Sequence, residues 1–161
     1  MDNSIMADLD DRELVITRIF DAPRELVFQA WTDPQRMLQW MGPRSHPARL
    51  MEMDARPGGA WRGCLDAADG SGELWQSGTC WEIVPPERVV FTFAWHTPDG
   101  TRGAEQLVTI VFAAVGDKTR MTFRQSPFQT VESRDGHVLG WHSTFDRFDD
   151  YLARTAAGAA R

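Results

Sequence analysis

The sequence predicts an α+β fold: one antiparallel sheet, a long C-terminal helix packed against it, and two short helices after the first strand. Three observations carry this. Val138, Trp141, Phe145, Phe148 and Leu152 recur at intervals of three, four, three and four, which places all five on one helix face. From Ala48 to Gln125 the pattern has period two and breaks at short turns. The 161 residues suit a single domain, and a lone apolar helix after a sheet has that sheet as its partner.

Each element follows in order. Glu13 to Phe20 mixes β-branched and apolar residues and reads as the first strand. Asp21 offers an N-cap, with Pro23 in the first turn of a short helix whose apolar face is Leu26, Val27, Ala30 and Trp31. Asp33 caps a second short helix with Pro34 at its first position; Met37, Leu38, Trp40 and Met41 supply its buried side, and Gly42-Pro43 ends it. Leu50, Met51 and Met53 mark a strand that stops at Pro57-Gly58-Gly59, where a tight turn is expected. Ala60 to Leu65 is the next, followed by Asp69-Gly70, a hairpin signal. Glu73 to Val84 ends at Pro85-Pro86, and Arg88 to Trp95 at Pro98-Asp99-Gly100. Ala104 to Ala114 and Thr119 to Gln125 complete the sheet, with Gly116-Asp117 between them. Connections this short produce an antiparallel meander. The stripe predicts the long helix from His137 to Thr155. The domain spans residues 12–155, and residues 1–11 and 156–161 are expected to be flexible.

Composition narrows the partners. Seventeen basic residues against 23 acidic ones give a net charge of −6, which weighs against nucleic acid and anionic membrane. No apolar run is long enough to cross a bilayer, so no membrane insertion is expected. Met1 to Asp11 holds four aspartates and no basic residue, unlike a signal peptide; a cytoplasmic location is the expectation. Cys64 and Cys80 read as small buried hydrophobes. The four histidines share no metal-ligand spacing: His137 and His142, five apart, point about 140° away from each other on a helix. Gly58-Gly59 lacks the spacing of a phosphate loop. No metal, nucleotide or other cofactor is expected. What stands out is aromatic content, seven Trp and nine Phe, enough to fill a core and line a pocket as well.

Five segments carry a family likeness: ITRIFDAPRELVFQAWTDPQRMLQWMGP (16–43), MDARPGGAWRG (53–63), EIVPPERVVFTFAW (82–95), GDKTRMTFRQSPF (116–128) and RDGHVLGWHSTFDRFDDYLA (134–153). With them the chain resembles bacterial proteins related to the C-terminal domain of the heat-shock protein 90 ATPase activator. These lie within the SRPBCC superfamily, also called START-like or Bet v-like. The resemblance implies a helix-grip fold, with a strongly curved antiparallel sheet wrapped around the long C-terminal helix. It also implies a ligand cavity between helix and sheet. Two positions depart from the family pattern: Gln125 stands where members often have His, and Cys80 where a Tyr is common. Both weigh against an inherited proton-transfer role.

The functional expectation is reversible binding of a small apolar or aromatic molecule. Expected lining residues are Trp40, Trp61, Trp81, Phe93, Trp95, Phe128, Trp141 and Phe145, with polar contacts from Gln125 or His142. Trp141 and Phe145 are expected to face the cavity, and Phe148 and Leu152 to anchor the helix. Two alternatives stay open: a polyketide cyclase- or hydrolase-like enzyme using the same cavity, and a stress-related, co-chaperone-like interaction module. The expected assembly is a monomer or a two-fold homodimer.

Overall fold

A computed structural model of the chain describes residues 11–159. The elements run β1 (Leu14–Phe20), α1 (Arg24–Thr32), α2 (Pro34–Met37), β2 (Ala48–Met53), β3 (Ala60–Asp66), β4 (Glu73–Val84), β5 (Arg88–Trp95), β6 (Gln106–Val115), β7 (Lys118–Ser126) and α3 (Val131–Ala159). This is the helix-grip arrangement. The seven strands form one antiparallel sheet in the order β1-β7-β6-β5-β4-β3-β2. β2 to β7 are a continuous meander. β1 closes onto β7, with Ile16 opposite Phe123, while α1 and α2 carry the chain across to the far edge. Of the termini expected to be flexible, 1–11 and 156–161, residues 1–10 and 160–161 lie outside the described residues, and residues 156–159 continue α3.

Local chemistry accounts for most boundaries. Asp33 caps α2, its Oδ1 accepting from the Gln35 N–H at 3.0 Å, with Pro34 following. The expected cap at Asp21 is corrected: Pro23 occupies the N-cap of α1, and no side chain caps that helix. Gly58 adopts φ +85°, and a Cβ on Gly59 would meet the Asp54 carbonyl oxygen at 1.9 Å, so the Gly58-Gly59 turn requires both glycines. Register shifts between Ala48 and Leu50 and between Cys80 and Glu82 are bulges, which bend and twist their strands and help the sheet curve.

The core lies between the concave sheet face and α3, closed at one end by α1 and α2. Trp31 is its hub. Its ring sits 4.8 Å from Trp40 and 6.1–6.4 Å from Phe123, Trp141, Phe145 and Phe148. Trp40 stacks on Phe148 at 4.0 Å and donates its indole N–H to the Ala30 carbonyl. Trp61 leans over β4 at Gly78 to donate to the Thr92 carbonyl at 2.8 Å. A Cβ on Gly78 would meet that carbonyl oxygen at 1.8 Å, so only glycine permits the crossing. Cys64 and Cys80 are buried and unpaired, and burial pushes both thiols up from their ordinary range.

The helix α3 begins at Val131, six residues ahead of the expected start. Thr130 caps it, its Oγ1 accepting from the Ser133 N–H at 3.0 Å. The first two turns hold no fully buried side chain, so the apolar stripe could not signal them. No helix among the described residues is long and apolar enough to cross a membrane.

Candidate ligand groove

A groove of about 370 Å³ opens between the first four turns of α3 and the concave face of the sheet. Gly136, His137, Gly140, Trp141 and Thr144 form its helical wall. β3, β4 and β5 contribute Leu65, Leu74, Gln76, Phe93 and Trp95. Met41, Gly42, Pro43 and His46, in the loop after α2, close the third side. The volume falls at the small end of the range for small-molecule pockets, and the lining is mostly apolar with a few polar groups.

Three devices hold these walls. His137 bridges helix and sheet. The Trp95 indole N–H donates to His137 Nε2 at 2.8 Å, so the ring proton sits on Nδ1, which donates to the Ser133 carbonyl at 2.7 Å. Both imidazole nitrogens are thereby engaged. Gln125, 0% exposed, accepts from the Trp141 indole N–H at 2.8 Å and donates to Gln106 Oε1 at 2.6 Å, fixing Trp141 in place. Arg147 donates to the carbonyls of Met41 and Gly42 at 2.7 and 2.8 Å, which ties the loop wall to the helix. Burial, with smaller contributions from the nearby Arg44 and Arg154 charges, lowers the pKa of this guanidinium from its ordinary value. Arg44 strengthens the same tie: its backbone N–H donates to Ser143 Oγ, and its side chain pairs with Asp150 at 3.0 Å.

Below the groove the interior is nearly full. A void of about 10 Å³ lies among Met37, Met41, Met51, Met53, Trp61, Phe91 and their neighbours. It shares Met41, Gln76, Phe93 and Trp141 with the groove.

Of the ten residues expected at the site, Phe93, Trp95 and Trp141 line the groove and Trp61 lines the small void. The others stand elsewhere. Trp40 and Phe145 are 0% exposed in the aromatic core, so Phe145 anchors the helix together with Phe148 rather than facing the cavity. Trp81, at the β4 bulge, is 55% exposed and away from the groove. Phe128 is buried behind His137, 5.0 Å ring to ring. Gln125 acts through Trp141, and His142 is exposed, with its backbone carbonyl accepting from Arg18. The residues not anticipated are Gln76, His137, Gly136, Gly140 and the Met41–His46 wall. The glycines had a readable signal, since two glycines four apart inside a helix are costly without a reason.

A second concavity, about 1090 Å³, lies on the opposite face of β3 and β4 around Trp75 and His96. Its polar groups already pair with one another. Ser77 Oγ shares a hydrogen bond with His96 Nε2 at 2.8 Å and accepts from Arg102 Nε at 3.0 Å, and Arg62 pairs with Glu52.

Residues 21–153 match the family described as Activator of Hsp90 ATPase homolog 1-like protein. The chain belongs to this family. Solved structures of other bacterial proteins share the fold over nearly its whole length. An AHSA1 protein of Silicibacter pomeroyi superposes with a TM-score of 0.81 at 27% identity, covering 89% of this chain and 99% of its own. A protein of Mycobacterium smegmatis gives 0.77 at 25% identity, covering 92% and 95%. The solution structure of an Arthrobacter aurescens protein gives 0.81 at 22% identity, covering 91% and 89%, a likeness of fold alone. No curated protein matches the chain.

Proposed function

We propose that this chain reversibly binds a small, largely apolar molecule with an aromatic body, seated in the groove between α3 and the sheet. The observation that carries this reading is the pair Gly136 and Gly140. They lie four apart on α3, both line the groove, and a Cβ on either would meet nothing within 4 Å. Glycine in a helix interior costs about 1 kcal/mol relative to alanine. Close packing usually explains such a cost, and no atom is close here. What the two glycines do is keep the helical wall flat and the groove open beside Phe93, Trp95 and Trp141. His137 has both ring nitrogens hydrogen-bonded, which favours binding over proton transfer, because neither is free to act as a base.

The test combines retention and blockade. Native mass spectrometry of freshly purified protein reads any retained molecule. A thermal-shift screen of lipids, aromatic acids and polyketide-like compounds reads added ones, since a ligand of the folded state raises Tm by mass action. Gly140→Leu, which projects a side chain into the groove, should abolish both signals while the protein stays folded. A screen with no retained mass, no thermal shift and no quenching of tryptophan emission would overturn the reading and bring the interaction module forward.

A further inference from the structure

The groove also carries a recognition element, and the argument for it rests on the binding reading above. Gln76 is 4% exposed, and its side chain makes no hydrogen bond among the described residues. It lies in the wall of both the groove and the small void beneath it. Among the described residues, Trp31 Nε1 is the only fully enclosed side-chain nitrogen or oxygen without a partner. The unpaired amide of Gln76 therefore still touches open space, at the floor of the groove or in the void that continues beneath it. Buried side-chain amides are ordinarily satisfied, because leaving one unpaired forfeits its hydration with no return. The other buried polar side chain of the groove illustrates the rule: Thr144 Oγ1 donates to the Gly140 carbonyl at 2.8 Å.

We infer that the groove selects neutral ligands bearing a carboxamide or lactam on the aromatic body, read by the side-chain amide of Gln76. A glutamine amide presents an acceptor oxygen beside donor N–H groups. The group that answers both is one with an N–H donor and a C=O acceptor side by side, as in a carboxamide or lactam. A carboxylate supplies acceptors only and brings a charge. The groove lining contains no Lys or Arg and one carboxylate, Glu132, so an anion gains no partner there. The ring face of the ligand meets Phe93 and Trp141, and its polar edge meets Gln76.

The experiment uses the full chain and three probes of similar shape: carbostyril, which is a bicyclic lactam, its N-methyl derivative, which lacks the donor, and naphthoate, the anion. Calorimetric titration should give carbostyril an affinity about tenfold or more above either analogue. Gln76→Leu, close in volume, should erase that preference and leave the N-methyl compound nearly unchanged. In the unmodified protein, the side-chain amide proton signals of Gln76 should shift with carbostyril and not with its N-methyl derivative, which tests the contact even if the variant fails to fold. Equal affinities for carbostyril and its N-methyl derivative, with both blocked by Gly140→Leu, would overturn this inference and leave the groove reading standing. A preference for naphthoate, or a lactam preference that survives in Gln76→Leu, would also overturn it. Failure of all three probes, together with an empty native mass spectrum and no hit in the wider screen, would remove the groove reading and this inference with it.

Discussion

The two halves of α3 are one continuous helix with opposite roles. Residues 141–152 bury Phe145, Phe148 and Leu152 against the sheet and against Trp31 and Trp40. The same half is pinned by ion pairs from Arg18 to Asp146 and Asp149, at 2.6 and 2.9 Å, and by the Arg147 hydrogen bonds to the loop after α2. Residues 131–140 contain no fully buried side chain, and Leu139 is 74% exposed. Toward the sheet they offer Val138, partly buried against the core, one bridge from His137 to Trp95, and two glycines facing open space. Side chains on one half hold the helix down. Missing side chains on the other half leave the groove.

Substitutions that act on one half only would break or sharpen this contrast. The largest effect is expected at Phe148. Truncation to Ala removes a ring stacked on Trp40 and should cost about 3–5 kcal/mol in chemical denaturation. A loss below 1 kcal/mol would show that this half is not the anchor.

Arg147→Ala comes next. It leaves the Met41 and Gly42 carbonyls without their charged donor, at a cost of about 1.5–3 kcal/mol. Hydrogen exchange should rise in residues 41–46 more than in the sheet. A uniform rise would mean that Arg147 stabilises the fold without holding the groove wall.

Gly140→Ala should move in the other direction. With space for the methyl group and better helix propensity, it should add about 1 kcal/mol, seen as a rise in Tm of about 2–4 °C. Affinity for the groove's ligand should fall in the same variant. Stability and binding moving together would contradict the assignment of this half to the groove.

The smallest effect lies off the helix and serves as a control. Asp99 accepts from the Thr97 hydroxyl and from the Thr101 N–H, and these hydrogen bonds hold its carboxyl at about 2, below the ordinary 3.8. A group whose pKa is lower folded than unfolded stabilises above its unfolded value and stops doing so as pH falls through its folded one. The β5–β6 turn should therefore loosen between about pH 4 and pH 2, read from the Thr101 amide signal, with the signals of α3 unchanged. Asp99→Asn should remove that pH dependence.

Much of this protein was legible in one dimension because the signals are local. The three-four spacing from Val138 to Leu152 is a property of helix geometry, and all but Val138 of those residues are buried as the spacing demands. Alternation in β5 placed Phe91, Phe93 and Trp95 on one face, and Asp33-Pro34 marked the start of α2 at the right residue. The family segments named the topology that local signals leave open, in which β1 joins β7 across most of the chain length.

The site was less legible, because aromatic residues look alike in sequence whether they fill a core or line a groove. Trp40, in the turn just past α2, and Trp141, on α3, both sit in apolar stretches, yet one is sealed by Phe148 and the other borders open space. Trp81 follows the alternation of β4, but a bulge at that residue leaves it in solvent. Gln76 has no local mark at all. Its burial depends on β3 and β5 flanking β4 and on α3 crossing above, and its unpaired amide follows from neighbours far away in the chain. The sequence by itself determined the order of the helices and strands and which of their faces are apolar, since these depend on neighbours a few residues apart. Which aromatic rings meet, where the two helix glycines leave space and which polar group is stranded there were decided only when distant elements packed, because a cavity is a relation between surfaces that no single segment contains.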